Sequence, residues 1–157
     1  MPAGDNNCIT FLVDGHLFGV PTTEVLELSR FQKLTPVPLA PAAISGLMNL
    51  RGHVVTALDM RCRLGLRPRP DGLLPMNIVL RREDVLVSLL VDRVGEVVEL
   101  DDSTFEQPPD TLRGLARELV RGVHKLPGRL LLLLDTHKIL TGLAVASRRA
   151  APVATAL

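Results

Sequence analysis

Three aspartates and four histidines are the side chains best suited to acid–base or metal chemistry. Each aspartate closes an apolar run, and the histidines lie beside turns, at strand ends or in a loop; the residues are Asp59, Asp92, Asp135, His16, His53, His124 and His137. An aspartate in that position usually begins a turn or caps the element that follows. No histidine has a partner at the spacing that metal ligands need. The sequence therefore predicts no catalytic residues, no metal site and no cofactor.

Cysteine content, charge and aromatic content argue against further classes of protein. Cys8 and Cys62 are the only cysteines, which are too few and too far apart for a disulfide framework or a zinc site. The formal net charge is +1, and the chain has four phenylalanines but no tryptophan or tyrosine. Nucleic-acid binding normally needs clustered basic charge and stacking aromatics. A small nucleic-acid-binding β-barrel stays a lesser alternative because of four nearby arginines: Arg61, Arg63, Arg67 and Arg69.

Length and hydropathy predict one domain in the cytoplasm. The 157 residues suffice for one domain or for two small units that share a core. No signal peptide is apparent, and the longest apolar runs are far too short to span a membrane. We predict a single domain over residues 1–143, without direct membrane insertion. Residues 144–157 are mostly small and lie at the end of the chain, which predicts a flexible tail.

Arg51 is the charged residue whose position is hardest to explain as ordinary surface. It lies in the stretch GLMNLRGHVV, residues 46–55, between a polar Asn-Leu segment and an apolar run. Glycine follows it directly, so the chain is expected to turn there. The arginine is either a solvated turn residue or a side chain that the turn presents to a partner.

The first half of the chain predicts a hairpin, a short helix and two strands. Two strand-like runs flank the Asp-Gly pair at 14–15, which favours a tight turn. The Pro-Thr pair at 21–22 suits a helix start, and Val25 and Leu28 lie three residues apart, so a short helix is expected there. Prolines at 36, 38 and 41 indicate an edge strand that runs into a loop. A buried strand over 53–59 ends at Asp59.

The second half predicts a similar series of elements. A hairpin is expected to turn near residues 82–84. Apolar residues at helical spacing over 110–122 predict a helix, with Asp110 as its cap. The short apolar run that follows Gly128 predicts a fully buried strand.

Two sets of matching residues indicate an internal duplication of about 75 residues. The string EVLEL at 24–28 matches EVVEL at 96–100, an offset of 72. At an offset of 76, four residues of the first half recur in the second: Gly46, Leu50, Gly52 and Asp59 match Gly122, Leu126, Gly128 and Asp135. Units of this size, rich in short strands, predict two small β-barrels. Each is too small to bury enough surface alone, so one continuous core should join them.

The two copies differ at the position of Arg51, and this difference indicates what the arginine does. Gly52 and Gly128 are shared, so we expect both glycines to form the turn itself. The residue matching Arg51 is Pro127, and a strand still follows it. This difference favours the interpretation that Arg51 is displayed for binding.

Several segments together resemble the CheW-like chemotaxis coupling proteins. They are FLVDGHLFGVPTTEVLEL, LTPVPLAPAAISGLMNLRGHVVTALDMRCRLGL, NIVL, LLVDRVGEVVEL and GVHKLPGRLLLLLD. The resemblance runs from about residue 11 to residue 140, and its specific part is the ordered set around the Asn-Leu-Arg-Gly motif. It implies an all-β fold of two five-stranded, SH3-like barrels. It also implies an adaptor without catalysis, located at membrane-associated receptor arrays.

The resemblance further implies two protein partners. One is the cytoplasmic tip of a methyl-accepting chemoreceptor, and the other is the regulatory domain of a chemotaxis histidine kinase. Receptor contact would fall on six residues: Val25, Glu27, Gly46, Asn49, Leu50 and Arg51. Val25 would supply apolar contact, Glu27 and Arg51 would fix the register by charge, and Gly46 would allow close approach of backbones.

The kinase-facing surface is predicted near residues 61–66 of the first barrel. This prediction rests mainly on the family, and it names Arg61, Leu64 and Leu66. A Leu-Gly-Leu turn after an edge strand would leave apolar side chains exposed as a patch. The helical segment RGLARELVR and the proline-rich loop RPRPDGLLP depart from the family pattern. They keep open an alternative, a paralogue specialised to one partner in a non-flagellar motility or gene-regulation pathway.

Overall fold

The computed structural model describes residues 6–110 and 114–141, which are mainly β-strand. In these residues the strands are β1 (Asn7–Val13), β2 (His16–Pro21), β3 (Val25–Arg30), β4 (Ile44–Leu50), β5 (His53–Asp59), β6 (Met76–Arg82), β7 (Val85–Val91), β8 (Arg93–Glu99), β9 (Phe105–Glu106), β10 (Val120–Leu126) and β11 (Arg129–Leu134). The helices are α1 (Met60–Arg63), α2 (Gly114–Leu119) and α3 (Thr136–Leu140), with 3-10 turns at Thr22–Glu24 and Asp102–Thr104. The predicted tail lies outside the described residues.

The strands form two sheets, which build the two predicted barrels. The first barrel has the strand order β3-β6-β7-β5-β4, and the second has the order β8-β1-β2-β11-β10-β9. In the first barrel Thr35, which follows β3, exchanges two 2.8 Å backbone hydrogen bonds with Leu47 of β4. The chain after one edge strand thus reaches the other edge, which closes the sheet. The two-barrel prediction is confirmed, with the two-residue strand β9 as a sixth strand of the second barrel.

Each barrel combines strands from both halves of the chain. The hairpin β1–β2 belongs to the second barrel, where β2 pairs in parallel with β11. The hairpin β6–β7 belongs to the first barrel, where β7 pairs in parallel with β5. The duplication therefore does not yield two barrels that follow each other along the chain. Neither half carries a complete barrel, so the halves must fold together.

A shared core joins the barrels, as the sequence predicted. One cluster of buried side chains draws on strands of both sheets, including Phe11 and Phe18 from the second barrel and Ile78 and Leu89 from the first. Each barrel also has its own smaller cluster, one around Leu131 and the other around Val55 and Leu50. The shared cluster is the largest, so most of the apolar stabilisation depends on both barrels being present.

Both predicted hairpins are confirmed, and their turns have the expected geometry. Asp14 and Gly15 have φ values of +50° and +80°, and Glu83 has a φ of +57°. Positive φ values in a two-residue connection match the right-handed twist of the flanking strands. Two of the predicted caps are also present. The Asp59 carboxylate accepts a hydrogen bond from the backbone N–H of Arg61, and the Asp135 carboxylate accepts one from Lys138.

The helix predicted over residues 21–28 is wrong. Only Thr22–Glu24 forms a 3-10 turn, and Val25–Arg30 forms strand β3 instead. Exposed and partly buried residues alternate along β3, and β3 pairs antiparallel with β6. Two apolar residues three positions apart occur in helices and in strands alike, so tertiary pairing with β6 decided the outcome.

Three other predicted elements differ in extent. The predicted edge strand among the prolines is reduced to the bridge at Thr35, because proline has no N–H to donate to a ladder. The helix α2 ends at Leu119, because the residues that follow join β10. Asp110 pairs with Arg117 at 3.6 Å, but residues 111–113 lie outside the described residues. Strand β11 is not fully buried, since Leu130 is 47% exposed.

The sheet register corrects one of the two sequence offsets. The offset of 76 is correct, because a bulge between Ile44 and Gly46 recurs between Val120 and Gly122. The offset of 72 is wrong. Leu28 pairs with Ile78 in one sheet and Val97 pairs with Ile9 in the other, which makes β3 and β8 equivalent at an offset of 69. A string of alternating valine, leucine and glutamate matches itself in several registers, and only the hydrogen-bond ladder selects one.

Arg63 links the barrels by capping a helix of the opposite barrel. The Arg63 side chain lies at the end of α1 and donates hydrogen bonds to the carbonyl oxygens of Lys138, Ile139 and Thr141, at 2.9, 2.9 and 3.3 Å. These carbonyls belong to the last turn of α3, where helices lack internal donors. A cation there also interacts favourably with the helix dipole.

The variant Arg63→Ala is expected to lower the free energy of unfolding by about 1–2 kcal/mol, because three carbonyls lose a charged donor. Urea denaturation followed by circular dichroism measures this change. The matched variant Arg63→Lys keeps the charge but not the forked donor, so its loss should be smaller. An Arg63→Ala protein as stable as the parent chain would contradict the capping role.

Among the described residues, no helix is both long enough and apolar enough to cross a membrane.

Candidate protein-interaction site

The two segments predicted to contact a receptor lie side by side in the first barrel. Strand β3 carries Val25 and Glu27, and the β4–β5 hairpin carries Asn49 and Arg51. Arg51 Nη1 donates a hydrogen bond to Glu27 Oε1 at 2.5 Å. The arginine side chain is 77% exposed and the glutamate side chain 17% exposed. Residues 24 positions apart are thus joined into one surface, which we name the Glu27–Arg51 surface.

The turn that carries Arg51 is held in one conformation. Arg51 and Gly52 have φ values of +51° and +86°, which is the geometry of a tight two-residue hairpin turn. The Asn49 side-chain oxygen accepts a hydrogen bond from the Gly52 N–H at 2.8 Å. Asn49 therefore fixes the conformation of the turn, which orients the Arg51 side chain.

The sister turn of the second barrel has a different backbone. Gly128 has a φ of +80°, like Gly52. Pro127 occupies the position of Arg51, and the proline ring holds its φ near −65°. The same connection is therefore made with two turn types. An arginine is therefore not required to connect the strands. Of these two sister turns, only the turn at Arg51 has a positive φ at this position.

Gly46 and Leu50 are buried and serve the fold. A Cβ atom on Gly46 would lie 2.7 Å from the carbonyl oxygen of Thr35. Gly46 therefore allows close approach of a backbone within the protein itself. That backbone is the segment around Thr35, which closes the first barrel. Leu50 is 7% exposed and packs with Met48 inside that barrel. Of the six predicted residues, Arg51 and Asn49 are exposed and Val25 and Glu27 are partly exposed.

Two exposed leucines of β3 were missed from the sequence. Leu26 is 47% exposed and Leu28 is 43% exposed, on either side of Glu27. The helix prediction grouped Leu28 with Val25 on one face, whereas the strand leaves Leu28 at the surface. The side chain of Val25 instead packs against the shared core. Alternation in EVLELSR could have indicated a strand, but it would have placed both leucines on the buried face, so their exposure was not predictable from this pattern.

The prediction of an exposed apolar patch at residues 61–66 is wrong. Arg61 is 5% exposed and Leu64 is 2% exposed. Leu64 belongs to the shared core, and Leu66 packs against it. The reason is that α1 lies over the junction of the two barrels, so its apolar side chains face inward. Exposed leucines in this part of the chain are Leu73 and Leu74, at 44% and 66% exposure.

Arg61 joins an ion-pair cluster between the barrels. Its guanidinium contacts both Asp92 carboxylate oxygens, with Nη2 to Oδ2 at 2.6 Å and Nε to Oδ1 at 3.1 Å. The Asp14 N–H donates to Asp92 at 2.7 Å, and Arg69 Nε donates to Asp92 at 3.2 Å. Burial alone would raise the pKa of Asp92. Hydrogen bonds from Arg61 and the Asp14 N–H, together with the positive charges of Arg61 and Arg69, hold the pKa below its ordinary value.

This cluster accounts for most of the arginines on which the nucleic-acid alternative rested. All four arginines of the basic run are engaged within the protein: Arg61 and Arg69 with Asp92, Arg67 with Asp14, and Arg63 with α3. Nucleic acids are bound by cations that are free to reach phosphates. Arg61, Arg63 and Arg69 are therefore structural, whereas Arg67 is 80% exposed and pairs with Asp14 at the surface. Among the residues that the structure describes, no group of three or more His, Cys, Asp or Glu side chains is arranged for a metal ion.

Residues 7–144 match the family model of the CheW-like domain. The chain belongs to the CheW-like domain family. The sequence resemblance that rested on the Asn-Leu-Arg-Gly segment is thereby confirmed over most of the chain.

Full-length CheW proteins are among its relatives. It is 31% identical over 136 residues to chemotaxis protein CheW of Rhizobium meliloti, which covers 87% of this chain and 88% of the relative. It is 28% identical over 135 residues to chemotaxis protein CheW of Treponema pallidum, which covers 83% and 79%. This CheW-like chain therefore spans most of the length of both relatives.

A solved structure has the same fold. The crystal structure of the scaffolding protein TtCheW from Thermoanaerobacter tengcongensis matches with a TM-score of 0.78 at 24% identity, covering 87% of this chain and 93% of that chain. The two-barrel arrangement is thus the CheW-like fold. The surface carrying Glu27 and Arg51 lies within the matched domain.

Proposed function

We propose that this CheW-like protein is a non-catalytic adaptor of a chemotaxis-type signalling pathway. It couples the cytoplasmic tips of chemoreceptors to the regulatory domain of a histidine kinase. The observation that carries this proposal is the ion pair between Glu27 and Arg51. It brings the two receptor-motif segments together on one exposed face of a rigid barrel, as a protein-binding surface requires.

The chemistry of the Glu27–Arg51 surface suits a helical partner. A receptor tip is a helical hairpin, which presents an apolar stripe edged by charged side chains. Leu26 and Leu28 offer exposed apolar area next to this surface, on the outer face of β3 that alternates with the face carrying Glu27. Arg51 offers a guanidinium that can pair with a carboxylate or with backbone carbonyls. We therefore assign apolar contact to the leucines of β3 and orientation to Arg51.

Glu27 has a second role in this proposal, as the residue that positions Arg51. An exposed ion pair contributes little to stability, so the arginine can exchange Glu27 for a receptor carboxylate at small cost. In the free protein, Glu27 holds the Arg51 guanidinium near the position from which it would contact the receptor. Asn49 contributes by holding the turn.

The kinase is proposed to bind elsewhere on the protein. Arg61 and Leu64 are buried and Leu66 is partly buried against the core, so they offer little exposed area for that contact. A separate surface leaves the receptor-binding face free, as a coupling protein requires. The proposed location is the cytoplasmic side of membrane-associated receptor arrays, reached through the partners.

The variant Arg51→Ala is expected to weaken binding of a chemoreceptor-tip fragment by about 1–3 kcal/mol, the range of an interface anchor. The free energy of unfolding should stay within about 0.5 kcal/mol of the parent value, because the lost ion pair is exposed. Calorimetric titration with the receptor fragment and urea denaturation measure the two quantities. Binding of the kinase regulatory domain should be unchanged in the same variant.

Arg129→Ala is the matched control, because Arg129 is an exposed arginine beside the sister turn of the second barrel. It should bind the receptor fragment as the parent protein does. If Arg51→Ala binds normally, or if both variants lose the same affinity, the arginine is not a receptor contact. Parent protein that binds only one of the two partners would instead favour a paralogue specialised to that partner.

A further inference from the structure

We propose that a cavity in the second barrel binds a small aliphatic zwitterion of the α-amino-acid class. The cavity has a volume of about 160 Å³ and lies between the start of β1, the end of β2, strand β10 and the 3-10 turn Asp102–Thr104. It is in the barrel opposite to the Glu27–Arg51 surface. The proposal is independent of the adaptor function.

Two opposite charges line this cavity without pairing. Arg121 and Asp102 both contribute to its wall. Within the described part of the chain, neither side chain forms a hydrogen bond or an ion pair. Arginine binds carboxylates through two parallel donors, and a carboxylate binds an ammonium group. A ligand with both charges would satisfy both residues, whereas an anion or a cation alone would leave one of them unpaired.

The remaining wall combines apolar residues with two asparagines, Asn6 and Asn7, and one buried imidazole. Leu100, Leu133 and Phe105 supply apolar surface, as small-molecule sites generally do around a few polar groups. His124 is 3% exposed, and its Nδ1 lies 3.1 Å from Thr104 Oγ1. Burial lowers the pKa of His124, although the nearby Asp102 opposes this shift. Burial thus disfavours the charged imidazole, and Arg121 is the permanent cation of the site.

The first barrel shows that the fold does not need these polar residues. At the offset of 76, Arg121 corresponds to Ser45 and His124 to Met48, and both Arg121 and Ser45 lie at the equivalent bulges. Met48 is 4% exposed and fills the interior of the first barrel. The same scaffold position thus holds an apolar side chain in one barrel and a buried histidine in the other. Arg121 is exposed, and His124 also contacts Thr104 and Phe105. The proposal therefore rests on both residues lining the same cavity.

The test is a titration of the full chain followed by amide chemical shifts in two-dimensional NMR. The probes are L-valine, isovalerate, which lacks the ammonium group, and isobutylamine, which lacks the carboxylate. We expect L-valine to shift the amides of Cys8 and His124 saturably, with a Kd on the order of 1 mM. Isovalerate and isobutylamine should bind at least about tenfold more weakly, because each leaves one charge of the site unpaired.

Variants taken from the sister barrel complete the test. Arg121→Ser and His124→Met introduce the residues that the first barrel tolerates, and Arg121→Ser should reduce the affinity for L-valine at least about tenfold. His124→Met fills part of the cavity and should also weaken binding. Arg129→Ser, an exposed arginine of the same barrel that does not line the cavity, should bind as the parent does. The proposal is overturned if no saturable shift occurs up to about 50 mM, far above the expected Kd. Equal affinity for valine and isovalerate, or normal binding by Arg121→Ser, would overturn it as well.

Discussion

The variant Arg61→Ala should lose about 3–5 kcal/mol of unfolding free energy, a large part of the stability of a domain of this size. Arg61 is 5% exposed and holds both oxygens of Asp92 and, at 3.7 Å, the carboxylate of Asp14. Without Arg61, the buried Asp92 carboxylate keeps only Arg69 as its cation, at 3.2 Å. Removing one partner of a buried ion pair costs more than the pair itself contributes. Asp14 belongs to the second barrel and α1 to the first, so the loss should affect the junction of the barrels.

The effect of Arg61→Ala should depend on pH in a defined direction. The folded pKa of Asp92 lies below its ordinary value of 3.8. A carboxyl group with a lowered folded pKa contributes stability above its ordinary pKa and loses that contribution as the pH falls through the folded pKa. The difference between parent and variant should thus be constant near neutral pH. It should shrink below about pH 4, where the carboxylates become protonated.

Urea denaturation at pH 7 and at pH 3 measures both quantities. Arg67→Ala is the matched control, because Arg67 is an 80% exposed arginine that pairs with the same Asp14; it should cost less than about 1 kcal/mol. If Arg61→Ala and Arg67→Ala were equally mild, the cluster would not hold the barrels together. A parent–variant difference that grew on acidification would refute the role assigned to Asp92.

Leu64→Glu is expected to prevent stable folding, with a loss of at least about 4 kcal/mol. Leu64 is 2% exposed within the shared core. The substitution removes apolar packing and places a carboxyl group where nothing is arranged to solvate it. Loss of kinase binding in this variant would report unfolding and would say nothing about a binding surface.

Leu74→Glu is the matched control on the loop before β6. Leu74 is 66% exposed, so the same chemical change should alter the unfolding free energy by less than about 0.5 kcal/mol. Thermal melts monitored by circular dichroism, together with one-dimensional NMR spectra, compare the two variants. A well-folded Leu64→Glu protein would mean that α1 does not pack into the shared core.

The sequence alone was sufficient for features that depend on neighbouring residues. The hairpin at Asp14 and Gly15 follows from turn chemistry, because few residue pairs adopt positive φ values readily. Asp59 and Asp135 were identifiable as caps because an aspartate after an apolar strand has a donor within a few residues. The 76-residue offset was recognisable because glycines with special backbone roles tolerate few substitutions. The repeat also predicted two barrels, and the resemblance to the CheW-like family rested on the ordered motifs around the Asn-Leu-Arg-Gly segment.

Features that join distant residues were decided only by the tertiary structure. The segment Val25–Arg30 has no decisive local preference, and pairing with β6 made it a strand and exposed Leu28. Nothing near Leu64 in the sequence shows that the second barrel covers α1. The Glu27–Arg51 pair and the cavity lined by Arg121 and Asp102 also depend on contacts between separate strands. Burial and pairing of this kind result from how the sheets close on each other, so the sequence predicted the architecture, and packing determined which side chains are free to bind.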